Sequence, residues 1–135
     1  MTIESARVTL PPMTMLQKVA FTMFPVTDTP RSRAFYEGTL GLAVGSHSAS
    51  GTWTEYDLPG GGCLALFNHP DPNHTPQFGG ASIAFEVTDL DALNRELKGA
   101  GVTYSADLVH SPVCRMSVIA DPDGNSIILH ELKKK

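Results

Sequence analysis

The chain has 135 residues, enough for one domain with a single core and too few for a multidomain assembly. Ten Lys and Arg against 14 Asp and Glu leave a formal net charge of −4, so no broad cationic surface can draw in a phosphate backbone and nucleic acid is not expected as a partner. Two cysteines make no disulfide framework at this length, and no run approaches the ~20 apolar residues of a membrane helix. The expected setting is therefore soluble, reducing and cytoplasmic, with no membrane partner.

In chain order, residues 1–17 read as a flexible arm. Pro11 and Pro12 interrupt any helix there, and Glu4 and Arg7 make the segment a poor signal peptide. A first strand begins near Lys18 and runs into Phe24-Pro25-Val26-Thr27-Asp28. Asp28 or Thr29 can cap a helix whose first turn accepts Pro30, because a proline at that position lacks an amide that had no partner anyway. That helix runs to about Thr39, and Gly41 within Leu40-Gly41-Leu42 suits the left-handed turn that closes helices. Three strand candidates follow, Leu42–His47, Thr52–Leu58 and Gly62–Phe67, the last two joined by Pro59-Gly60-Gly61. Residues 68–80 form a linker that Pro70, Pro72 and Pro76 keep out of the sheets.

The pattern then repeats. Phe85-Glu86-Val87-Thr88-Asp89 echoes the first motif, and Asp89 caps a helix carrying Leu90, Leu93 and Leu97 on one face, ended by Gly99 and Gly101. Its strands are Val102–Ser105, Cys114–Ala120 and Asn125–Glu131, with Asp121-Pro122-Asp123-Gly124 as a tight reversal. Lys133 to Lys135 read as a solvated tail. The fold class is therefore α+β: two β-α-β-β-β modules, about 18–67 and 81–132, within a single domain over 18–132.

Strand alternation sorts the side chains onto two faces. Phe24, Val26, Phe85, Val87, Leu64, Leu66, Ile127 and Leu129 turn to the helices. Phe21, Met23, Pro25, Ser82, Ala84, Glu86, Cys63, Ala65, Phe67, Ser126, Ile128 and His130 turn away, lining the hollow side of a curved sheet.

The duplicated pattern resembles the vicinal-oxygen-chelate superfamily of glyoxalases, extradiol dioxygenases and bleomycin-resistance-like proteins. The residues that carry the resemblance are Asp28, Phe35-Tyr36, Leu40-Gly41-Leu42, Val87-Thr88-Asp89 and Asp121-Pro122-Asp123-Gly124-Asn125, spread over about Lys18 to Leu132. It implies paired modules forming an open cup, commonly in a homodimer, and in metal-dependent members one ligand from the first and one from the last strand of each module. Carried onto this chain, those positions fall on Phe21, Ala65, Ser82 and Ile128, which cannot bind a divalent ion or, for serine, bind one weakly. A slip of one residue offers Ala20, Thr22, Ala81 or Ile83 instead. No metal and no other cofactor is expected.

Among the other polar candidates, Glu86 and His130 share the hollow face and suit acid–base chemistry. His110, before Ser111-Pro112, reads as a loop residue that could form a lid, and Arg115 could pair with a ligand carboxylate. His47, His69 and His74 read as solvated loop residues, and Gly60-Gly61-Gly62 is no phosphate loop because no Lys-Ser/Thr pair follows. Trp53, Phe21, Met23 and Phe67 would floor a pocket for a flat organic molecule. Three functions remain open: a metal-free binding protein for a small organic ligand, a metal-free acid–base enzyme using Glu86 and His130 on a carbonyl compound, or a metal-dependent lyase, isomerase or dioxygenase with a rebuilt site.

Overall fold

The structure is a computed structural model that describes residues 19–76 and 82–133. The expected arm, the end of the linker, Lys18 and Ala81 at the expected module starts, and the last two lysines lie outside the described residues.

Eleven elements among the described residues fall into two units of like order. In the first, strand β1 (Thr22–Pro25) leads to helix α1 (Thr29–Arg33), which continues as a π-helical segment over Ala34–Thr39; strands β2 (Val44–His47), β3 (Trp53–Asp57) and β4 (Cys63–Phe67) follow. In the second, β5 (Ser82–Glu86) precedes α2 (Leu90–Gly99), β6 (Thr103–His110), β7 (Cys114–Ala120) and β8 (Ser126–Leu132). Each unit closes a mixed four-stranded sheet, ordered β1-β4-β3-β2 and β5-β8-β7-β6, in which first and last strands pair in parallel and the rest antiparallel. A parallel pairing of first and last strands requires a long crossover, and the helix and two middle strands supply it.

Local chemistry starts both helices in the same way. The Asp28 carboxylate accepts the Arg31 N–H at 3.1 Å and Asp89 accepts the Ala92 N–H at 3.0 Å, satisfying backbone donors that no helical carbonyl reaches. Past Arg33 the first helix widens, and the Leu40 N–H donates to the Phe35 carbonyl, five residues back. The sequence pattern gives the end of this helix but not its winding, because apolar spacing reports which residues are buried rather than how many residues fill a turn. The wider winding brings two consecutive residues to one partner: the Tyr36 ring stacks on Tyr56 at 5.9 Å, and Glu37 accepts the Tyr56 hydroxyl at 2.9 Å. Gly41 then takes φ +75°, a conformation that a side chain would strain, and the Leu42 N–H reaches back to the Tyr36 carbonyl.

Alternation is borne out along the strands. Phe24, Val26, Leu64, Leu66, Ile127 and Leu129 are buried beneath the helices, in one cluster with Tyr36, Tyr56, Leu90, Leu97 and Ile119. Each fully buried aliphatic chain there contributes roughly 1.5–3 kcal/mol. One boundary differs substantially. The strand expected to end at Ser105 runs on to His110, because β6 crosses two register shifts against β7 and Leu108 adopts φ 54°. Bulges break the period of two on which a strand is recognised, so Ala106–His110 does not read as strand in sequence.

The units are joined through a buried carboxylate. Asp121, in the turn between β7 and β8, accepts the Tyr36 hydroxyl at 2.8 Å, the Asn125 side-chain amide at 2.8 Å, and the Asn125 and Asp123 backbone N–H groups at 2.7 and 2.9 Å. Asn125 also donates to the Pro25 carbonyl at 2.9 Å. Asp123 adds contacts to Arg31 at 3.0 Å and to the Thr27 hydroxyl. The Asp-Pro-Asp-Gly-Asn turn is therefore the seam between the halves.

Candidate functional site

Neither helix covers the second face of either sheet. On the first sheet β4 lies between β1 and β3, and the register sets Met23 and Glu55 on either side of Ala65, and Pro25 and Trp53 on either side of Phe67. Phe21 and Met23 remain 45 % and 44 % exposed, which is unusual for side chains of this size on a sheet. They are not isolated. Phe21 meets Trp53 edge-on at 5.2 Å across β4, and Trp53 tilts against Phe67 at 6.0 Å. Ala65, on the strand between those rings, is fully buried. Its methyl is small enough to let the two rings meet over it.

The ring row continues beyond the sheet. His69 packs edge-on to Phe67 at 5.6 Å, and His74 stacks on His69 at 3.9 Å. These two histidines, expected as solvated loop residues, are exposed but organised: the proline-rich segment after β4 folds back so that they extend the aromatic row. A cavity of about 200 Å³ opens there, between Phe67, Pro25, His69 and His74. No local sequence signal marks this stacking, because it depends on the path of a loop.

Glu55 is the residue of this face that sequence reasoning missed. Its carboxylate accepts the Trp53 indole N–H at 2.6 Å and the Cys63 thiol at 3.6 Å. The signal is available in the sequence, since residues two apart on β3 share a face and Trp53 is expected to floor the pocket. Burial, with the Glu55 charge beside it, pushes the Cys63 thiol above its ordinary range, so this cysteine is no ready nucleophile. Both cysteines are free.

On the second sheet the equivalent face carries Ser82, Ala84 and Glu86 from β5, paired with Ser126, Ile128 and His130 of β8. Glu86 and His130 are cross-strand neighbours, and the Glu86 carboxylate meets the imidazole Nδ1 at 2.6 Å. Its second oxygen accepts the Leu132 N–H at 3.0 Å. The histidine first, then this backbone donor, hold the Glu86 carboxyl below the usual carboxylate range. A carboxylate fixed by a backbone bond and bonded to one ring nitrogen orients the imidazole and leaves Nε2 for another partner.

Two expected site residues lie elsewhere. Arg115 pairs with Glu131 across the strands, and its guanidinium is engaged by Glu131 at 2.7 Å and Asp91 at 3.1 Å. Glu131 also accepts the Leu90 N–H at the start of α2, so this group belongs to the helix side of the sheet. His110 is the last residue of β6 rather than a loop residue, and its pairing with Arg115 puts it on that same side. The structure brings together Phe21, Met23, Trp53, Ala65 and Phe67 on one sheet, and Ser82, Glu86, Ile128 and His130 on the other. It does not bring Arg115 or His110 to either group. Among the described residues, no three His, Cys, Asp or Glu side chains cluster as a metal site needs, and no helix is long and apolar enough to cross a membrane.

Two βαβββ units joined by a polar seam, each with a sheet face that neither described helix covers, define a paired-module α+β protein. The sequence profile of the Glyoxalase/Bleomycin resistance protein/Dioxygenase superfamily matches residues 18–129, and the chain belongs to that superfamily. A comparison with curated protein sequences returns no match. Among solved structures, the chain is similar to TnmS3, an antibiotic binding protein from a Streptomyces species (25 % identity, 90 % of this chain and 100 % of that one, TM-score 0.74). It is also similar to a glyoxalase/dioxygenase from Nostoc punctiforme (26 % identity, 96 % and 100 %, TM-score 0.73). A glyoxylase/bleomycin resistance protein/dioxygenase domain from a Frankia species shares the fold at 22 % identity (87 % and 99 %, TM-score 0.71).

Proposed function

We propose that this protein binds a small, flat organic molecule against the aromatic face of its first sheet, without using a metal at the family's usual positions. The observation that carries the reading is the row Phe21, Trp53 and Phe67, spaced 5.2 and 6.0 Å between centroids on a face that neither described helix covers. Rings held edge-on and tilted present both apolar area and polarised edges to a planar ligand, at little cost in side-chain entropy. Similarity to an antibiotic-binding protein supports the same class of role. The positions where metal-dependent relatives would carry ligands hold Phe21, Ala65, Ser82 and Ile128. A phenyl ring, a methyl and a branched alkyl offer no donor, and one neutral hydroxyl is too weak alone, so this set does not fit a divalent ion.

Two copies of the chain form the working unit in this reading. Val113 and Leu132 stand 66 % and 58 % exposed at the end of the second sheet, and burying them in a homodimer would remove that apolar surface from water. Sedimentation equilibrium tests this, and a monomer at micromolar concentration refutes it. A reducing, cytoplasmic setting suits its two unpaired thiols.

The binding test uses Trp53, the single tryptophan of the chain. Titration with planar aromatic compounds should change its emission and raise the melting temperature, because a ligand that binds only the folded state stabilises it. A Trp53→Ala variant should lose the thermal shift. If a panel of such compounds moves neither signal, the reading is wrong.

A second reading rests on the Glu86–His130 bond. An imidazole oriented by a carboxylate is the arrangement that general acid–base catalysis uses, and it would act on a carbonyl compound. Turnover lost in Glu86→Gln with ligand affinity kept would select this reading over binding alone.

A further inference from the structure

The charge pattern of the two uncovered faces selects among flat ligands. Glu55 stands at the middle of the ring row, and both groups that donate to it, the Trp53 indole N–H and the Cys63 thiol, are neutral. Its negative charge is hydrogen-bonded but not neutralised by either. Two residues further along β3, on the same face, Asp57 is exposed. On the second sheet the uncovered face adds Glu86, paired with His130.

The described cations are elsewhere. Arg31 and Arg33 belong to α1, Arg95 and Lys98 to α2, Arg115 to the helix side of β7, and Lys133 follows β8. Four of these six are in ion pairs: Arg31 with Asp123, Arg33 with Glu37, Lys98 with Asp107, and Arg115 with Glu131. Among the described residues, no lysine or arginine occupies a strand position on the uncovered faces. Among the described residues of those faces, an anionic ligand would meet carboxylates and no lysine or arginine to offset its loss of hydration.

We infer that the ligand of the aromatic face is a planar aromatic cation, a ring system bearing a protonated amine or amidine that lies against Trp53 with its charged group at Glu55. This rests on the binding reading above and narrows it. The face of an indole attracts a cation through its quadrupole, and a carboxylate hydrogen-bonded to the edge of that indole stands where an ammonium N–H can donate to it. Flatness comes from the rings and positive charge from the acid.

Three probes that share one tricyclic ring separate the inference from its premise: 9-aminoacridine, a cation; acridine, neutral at mildly alkaline pH; and acridine-9-carboxylate, an anion. Affinities are read by calorimetry and by Trp53 emission on the full chain. The cation should bind about tenfold or more tighter than neutral acridine, and the anion weakest. In Glu55→Gln, whose amide oxygen can still accept the indole N–H, the advantage of the cation should shrink to about threefold or less while acridine binds as before. Should that variant fail to fold, added salt serves instead, since it weakens the charge term and leaves ring stacking in place. Equal affinities for the three probes, or an anion that binds best, would overturn the cationic assignment and leave the aromatic cup standing. If none of the three binds, the cup itself is refuted and this inference with it.

Discussion

Replacing Tyr36 with phenylalanine isolates the bond that crosses the seam. The ring is fully buried, packed edge-on to Phe35 at 5.2 Å and stacked on Tyr56 at 5.9 Å, and a phenyl group keeps both contacts. What is lost is the hydroxyl that donates to Asp121 at 2.8 Å. Burial, and then the Asp121 charge, hold this phenol far above its ordinary range, so it is a donor at neutral pH. Hydrogen bonds to charged groups are worth about 1.5–3 kcal/mol, and Asp121 keeps three other donors in the variant. The expected loss is therefore at the lower end, about 1.5–2 kcal/mol. Urea denaturation should show the midpoint falling with the slope unchanged, and the melting temperature should drop by about 5–10 °C for a chain of this size. Tyr56→Phe is the control. Its hydroxyl donates to Glu37 at 2.9 Å, a carboxylate that is partly exposed and already held by Arg33, so about 0.5–1 kcal/mol is expected. Equal costs for the two variants, or less than about 0.5 kcal/mol for Tyr36→Phe, would refute the claim that the Asp121 turn fastens the halves together.

Three further outcomes are expected. Arg33 first, then the Tyr56 hydroxyl, hold Glu37 below the usual carboxylate range, so its contribution is present above the unfolded pKa of about 4.3 and is lost as pH falls through the lower folded value. The stability gap between wild type and Glu37→Gln, read by urea titration, should thus be largest near neutrality and close towards pH about 3; a constant gap contradicts it. Ala65→Leu should cost about 1–3 kcal/mol and shift Trp53 emission, because a larger side chain on β4 forces the Phe21 and Trp53 rings apart, and an unperturbed melting curve would count against the packing described. Arg115→Gln should leave ligand affinity unchanged and move the melting temperature little, as its partners Glu131 and Asp91 lie on the helix side and solvent screens the pairs. A tenfold loss of affinity in that variant would place Arg115 at the ligand after all.

The architecture was legible because its signals are local and repeated. Asp28 and Asp89 announce both helix starts, Gly41 and Gly101 follow both helix ends with positive φ, and strand alternation assigned Leu64, Leu66, Ile127 and Leu129 to the buried face. Both candidate groupings, Trp53 apart, followed from the same period of two. Glu86 and His130 needed only two strands in phase, and their pairing across β5 and β8 matches that placement. Arg115 could have been assigned by the same rule. It alternates with Met116, which lies opposite His130, and so belongs to the other face. His110 and the His69–His74 stack were not legible, because one depends on bulges that shift register and the other on the return of a proline-rich loop. Neither leaves a periodic trace.

The two halves also show which part of a duplicated module is free to change. Phe24 and Val26 match Phe85 and Val87, and both pairs turn to the helix side, where a change of volume must be absorbed by close-packed neighbours. On the other faces, which neither described helix covers, the halves differ at nearly every position. Met23 stands where the second half has Ala84, Ala65 where it has Ile128, and Phe67 where it has His130. In one half the result is a row of rings with a carboxylate at its centre, and in the other a carboxylate–imidazole pair. The helix side is thus what the two halves of this chain hold in common, and function has to be argued from the side chains of the other face. The proposed reading puts recognition on the first sheet, with proton transfer on the second as its alternative, and variants confined to Glu55 or to Glu86 can separate the two.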